Sequence, residues 1–126
     1  MDRLLGRLLI ATAAAHALVG VASYRRPLKA IWNDGIVNAV MPNYDRRAAF
    51  WFLLFAPVLF GLGQITNRAV ERGDARILRT VAWNFLGIGV LGALLMPISG
   101  FWILLALVLP LLRAASRAER QDRPRT

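Results

Sequence analysis

From Val81 to Leu112 the chain runs for 32 residues without a formal charge, "VAWNFLGIGVLGALLMPISGFWILLALVLPLL". A straight helix of that length would measure about 48 Å, well beyond the roughly 30 Å of hydrocarbon in a bilayer. The stretch therefore has to fold back. "MPISG" at 96–100 supplies the place, because proline disfavours helix in the residue before it and glycine accepts the dihedrals of a tight turn. Two spans result, 81–96 and 101–116.

Two more apolar runs, 8–24 and 48–66, bring the expected number of spans to four. The residues are 57% hydrophobic and 18% charged, with the charges gathered between the apolar runs. That pattern predicts an all-α fold: an integral membrane bundle of four transmembrane helices, taken as one domain over residues 1–126. The first run also follows the signal-peptide pattern, with Arg3 and Arg7 before it and "GVA" at 20–22. Arg25 and Arg26 directly beyond it oppose export, so the run is expected to stay as a helix.

The basic residues set the expected orientation, since short cytoplasmic flanks carry the excess of Lys and Arg. The N-terminus, the 66–80 loop and the C-terminal tail hold eleven, against five in the first loop. Both termini are thus expected inside. The net charge of +9 belongs to this anchoring pattern; a nucleic-acid module would need a basic face with aromatic or groove-fitting elements, and no nucleic-acid partner is expected. The polar tail, 117–126, is expected to fray into disorder. Trp51 and Trp102 fall at the outer ends of their spans, with Tyr24 and Trp32 nearby, and Trp83 at an inner end, as aromatic belts require.

The first loop, "RRPLKAIWNDGIVNAVMPNYDRR", carries Leu28, Ile31, Trp32, Gly35, Ile36 and Val40 at helical spacing. A segment so patterned would lie in the outer interface with Asn33, Asp34 and Asn38 toward water, although "NDG" would equally break it into a turn. The loop either seals the bundle or acts as a lid.

Several familiar chemistries drop out. "GIGVLG" at 87–92 matches a dinucleotide fingerprint but lies inside an apolar span with no strand before it, so it reads as small residues that let helices approach. With no cysteine and one histidine, thiol chemistry and an ordinary zinc site within one chain are excluded. "RGD" at 72–74 falls in an expected cytoplasmic loop, and Ser99 has no histidine in reach for a hydrolytic triad.

The candidate ligand-binding residues are therefore the polar groups within or beside the spans. In the first span Thr12, Ala13, His16, Gly20 and Ser23 share a helical face. His16 sits about 12 Å from either end of that span, where an ionisable side chain usually faces the protein interior. It is either a site or packing glue. Gln64 and Asn84 stand at similar depth and are expected to bond across the second and third spans, while Pro57 frees the Leu53 carbonyl. Trp32, Asn33, Asp34 and Asn38 complete the set.

The stretches "HALVG" (16–20), "AAFWFLLFAP" (48–57), "RGDARILR" (72–79) and "LMPISGFW" (95–102) resemble those of a group of small bacterial four-helix membrane proteins, loosely similar to the DoxX-like group. The resemblance covers residues 8–112. It implies the architecture and a multi-pass place in a bacterial plasma (inner) membrane, and it assigns no catalytic residue. The leading expectation is a non-enzymatic accessory or interaction subunit whose partners are the bilayer, a second copy or another membrane protein. The alternatives are a small membrane enzyme or a hydrophobic-ligand or haem-binding bundle using His16, and a dimeric small-solute transporter, which lacks the intramembrane carboxylate such carriers often use. The residues name no cofactor.

Overall fold

The long charge-free stretch folds back at the expected place. The computed structural model describes residues 3–122. Over them the chain forms α1 (Arg3–Ser23), α2 (Arg25–Asn33), α3 (Tyr44–Arg72), α4 (Ala75–Leu95) and α5 (Phe101–Asp122), with no strand among the described residues. The four long helices, α1, α3, α4 and α5, are each long and apolar enough to cross a membrane. In the turn between α4 and α5 the Trp102 indole donates to the Pro97 carbonyl at 2.8 Å, tying the start of α5 to the bend.

Local chemistry sets the other helix ends. Asn43 accepts a hydrogen bond from the Arg46 amide (3.2 Å) and so caps α3. At the far end of α3, Gly73 takes φ +66°, its amide donates to the Val70 carbonyl and the Asp74 amide donates to the Ala69 carbonyl. This is a Schellman motif, which satisfies carbonyls the helix end leaves open. Asp74 then accepts from the Ile77 amide at 3.0 Å and caps α4. "RGD" is thus a helix stop followed at once by a helix start.

The same device corrects the expected helix in the first loop. α2 ends at Asn33, with Gly35 at φ +89° and amides of Gly35 and Ile36 donating to the Trp32 and Ile31 carbonyls. The helical spacing that ran on to Val40 is broken by "NDG", because only the glycine accepts the left-handed turn without strain. Beyond it Asn38 also has positive φ, which asparagine tolerates, and so does Ile36, which as a β-branched residue does not. Arg46 closes the segment: its guanidinium donates to the Ala39 carbonyl and pairs with Asp34, each at 2.7 Å.

The tail is a second correction. Residues 117–122, expected to be disordered, continue α5, and residues 123–126 lie outside the described residues. The continuation follows from packing, since Ala114, Ala115 and Ala118 are buried and Glu119 pairs with Arg79 at 2.8 Å. α3 likewise overruns its expected limits at both ends, because hydropathy marks only the apolar part of a helix whose capping lies in polar sequence.

The helices build two compact units, and α1 and α3 contribute to both. In the unit formed by Met1–Leu8 and Leu62–Thr126, α4 turns Leu78, Val81, Ala82, Phe85, Gly89 and Gly92 inward at three- and four-residue spacing, and α5 answers with Leu104, Leu107, Val108 and Leu111. The expected role of "GIGVLG" holds for two of its three glycines: a Cβ at Gly89 would meet the Leu105 side chain at 2.7 Å, one at Gly92 would collide with the Phe101 ring, and Gly87 faces open space. In the unit Leu9–Gly61, the buried residues are Leu9, Ala13, Gly20, Ala39, Ala49, Ala56 and Leu59.

Candidate functional site

His16 lies on α1 in the second unit, where the small side of the helix meets α3. Ala13 is buried, and a Cβ at Gly20 would meet Leu53 Cδ2 at 2.5 Å, so the two backbones run close. That proximity lets the half-buried His16 ring stack on Phe52, centroids 4.1 Å apart and planes inclined 13°, with Phe55 edge-on at 5.8 Å. Tyr24 tilts against the same Phe52 ring at 5.4 Å.

The polar edge of the imidazole is also engaged. His16 Nε2 donates to the Phe52 backbone carbonyl at 2.9 Å, and since a carbonyl only accepts, Nε2 carries the proton. Phe52 is the neighbour of Leu53, whose carbonyl loses its helical donor at Pro57, so the histidine bonds α3 in the turn that the proline loosens. One ring face and the Nε2 proton are thus engaged in joining α1 to α3, and this tautomer leaves Nδ1 with an acceptor lone pair.

The other candidate residues do not gather around it. Thr12 is half-buried and engaged with a neighbour, in keeping with the shared face. Ser23 keeps the helical angle but is exposed, as the last residue of α1. The expected cross-span bond between Gln64 and Asn84 is absent: both side chains are exposed, and Asn84 donates to the Thr80 carbonyl of its own helix at 2.9 Å. A side chain that reaches the preceding turn satisfies itself locally and has no need of a partner helix. Trp32, Asn33, Asp34 and Asn38 are exposed, and Asp34 is in addition held by Arg46.

Two polar features lay outside the sequence expectations. Thr66 is fully buried with its hydroxyl unpaired among the described residues, and a lone threonine at the end of an apolar run carries no signal of that in sequence. The Asp34–Arg46 pair was visible only as opposite charges twelve positions apart in a loop, a spacing without meaning until "NDG" turns the chain. Among the described residues no three His, Asp or Glu side chains converge as metal ligands do.

A family model described as "Family of unknown function (DUF6463)" matches residues 1–118. The chain belongs to DUF6463. No curated protein and no solved structure matches it. The DUF6463 match takes in α1 to α4 and most of α5, His16 and its aromatic partners included, and it assigns no function.

Proposed function

We propose that this DUF6463 protein is a four-span membrane protein with both termini inside, acting as a non-enzymatic accessory or interaction subunit. The bilayer is its main partner, and a second copy or another membrane protein packs on its outward faces. The observation that supports the non-enzymatic part is the His16 geometry: one ring face and the Nε2 proton hold α1 to α3, the work of a structural histidine. This ranks the accessory role above a haem-binding or catalytic bundle built on His16. A bacterial plasma membrane and the looser DoxX-like kinship accord with this reading.

Membrane insertion is supported by what the helices leave outside. Only 22–39% of each apolar window is buried, and Leu18, Leu91, Leu94 and Leu95 stand more than half exposed. A soluble protein rarely presents so much contiguous apolar surface. Trp32, Trp51, Trp83 and Trp102 also point outward, as residues of an interfacial belt do. Reporter fusions after Thr126 and within the loop at 73–74 are expected to behave as cytoplasmic, and a fusion near Asn38 as external. An external C-terminus would reverse the orientation.

His16→Gln tests the role itself, because glutamine keeps a donor for the Phe52 carbonyl while losing basicity and most metal affinity. The variant is expected to insert, to melt within about 0.5 kcal/mol of the parent and to copurify with the same partners, whereas His16→Leu, which removes both the bond to that carbonyl and the ring stack, loses about 1 kcal/mol or more. A Soret band in the parent that vanishes in His16→Gln would overturn the non-enzymatic reading in favour of ligand binding.

A further inference from the structure

Between the end of α1 and the start of α3 the chain leaves a run of apolar side chains uncovered. Val37 is 86% exposed, and Trp32, Ile36, Met41 and Tyr44 are each more than half exposed, all within the unit Leu9–Gly61. The backbone is built to display them. Ile36 is held at φ +66°, a left-handed angle that a β-branched residue adopts only where its surroundings impose it. Braces on either side do so: the Val37 amide donates to the Gly35 carbonyl and the Ala39 amide to the Ile36 carbonyl, while Arg46 joins Asp34 and the Ala39 carbonyl across the base. The tip is a preformed knuckle.

Its depth and the charge beside it say what covers it. Ala39 is buried, and its carbonyl lies 2.7 Å from the Arg46 guanidinium in the first turn of α3. Val37, at most about 7 Å further along the chain, therefore stays near the end of an apolar helix. On α2, Arg25, Arg26, Lys29 and Asn33 fall on one side of the helix and Leu28, Ile31 and Trp32 on the other. No residue of α2 is buried, and its three basic side chains are exposed. Such a segment suits a surface that is apolar below and anionic above.

We propose that the knuckle is a lipid anchor: Ile36, Val37 and Met41 enter the headgroup and upper acyl region of the leaflet in which α1 ends and α3 begins. α2 lies flat beside them with its basic side toward lipid phosphates, and Arg46 keeps the tip extended. An interfacial helix running on to Val40 would not do this, because Val37 and Met41 lie outside its apolar stripe and are displayed only once α2 stops at Asn33. Anchoring by the knuckle rests on membrane insertion of the four long helices, whose failure would show separately as protein released by alkaline extraction.

The chain has no cysteine, so Val37→Cys in the full chain carries an environment-sensitive fluorophore at a single position. The protein is placed in vesicles of phosphatidylethanolamine and phosphatidylglycerol. Lipid spin-labelled near the glycerol is expected to quench the probe at least about twofold more than lipid labelled near the end of its acyl chain. Iodide is expected to quench it at least about threefold less than the same probe at Asn33→Cys, on the polar side of α2. Met41→Cys carries the same test if the Val37 variant does not fold. Arg46→Gln, which removes the pair with Asp34 and shortens the reach to the Ala39 carbonyl, is expected to raise iodide quenching at Val37 at least about twofold while the protein still resists alkaline extraction. Equal iodide quenching at Val37 and Asn33 would put the tip in water and overturn the anchor. A Val37 probe reached by neither lipid label nor iodide would overturn lipid as the occupant in favour of a second copy or another protein. Unchanged quenching in Arg46→Gln would overturn the part given to the clasp.

Discussion

Replacing Gly6 with leucine is expected to cost the protein about 3 kcal/mol, a loss of more than a hundredfold in the folded-to-unfolded ratio. The first turns of α1 meet the last third of α3 at a pair of glycines: a Cβ built on Gly6 would lie 2.5 Å from the Gly63 carbonyl oxygen and would collide with the Asn67 side chain. Asn67 can swing away, but a backbone carbonyl cannot. The helices would have to separate, giving up their close dispersion contact. Gly87→Leu is the control, because Gly87 faces open space on the same kind of helix and leucine is the better helix former. Its melting in detergent should stay within about 1 kcal/mol of the parent. If Gly6→Leu melted like Gly87→Leu, the close approach of α1 and α3 at this point would be refuted.

The contrast between these glycines shows where the sequence stops being informative. Both sit in apolar helices, and only the packing angle separates a glycine that is needed from one that is tolerated. The helices and the bend at 96–100 were legible because a charge-free run longer than hydrocarbon is thick has few ways to fold. The arrest of α2 was half legible, since "NDG" can stop a helix but its apolar spacing argued for going on. Hydropathy cut α3 and α5 short because it registers solvent preference, whereas their ends are decided by the Asn43 cap and by alanines packed under Arg117 and Arg120.

At the candidate site the inward-facing side of α1 was legible from the small residues flanking His16. Its partner was not, because the Phe52 carbonyl belongs to the backbone, and no side-chain pattern marks which carbonyl of a neighbouring helix a histidine will reach. The polar pair Gln64 and Asn84 misled for a related reason. Equal depth along two helices fixes two of the coordinates of a contact, and the rotation of each helix about its axis fixes the third.

Phe85→Ala is expected to be the most damaging truncation in the unit that holds α4 and α5. Phe85 is the largest fully buried side chain, 2% exposed, on the α4 face that packs against α5. In a water-soluble core such a change costs about 3 to 5 kcal/mol, the sum of a lost transfer energy and the energy of the cavity left behind. The two contributions part company in a bilayer. If α4 and α5 are inserted, separating them moves the phenyl group from protein into lipid tails, so the transfer contribution nearly vanishes and the cavity remains. The loss in lipid should then fall below that range, to less than about 3 kcal/mol, and it should be largely recovered by Phe85→Leu, which refills most of the space. Steric trapping or denaturant unfolding in bicelles measures both variants. A loss of about 5 kcal/mol for alanine, with leucine scarcely better, would mean that the ring is withdrawn from water on folding, and the helices would then have to be reassigned to an aqueous core.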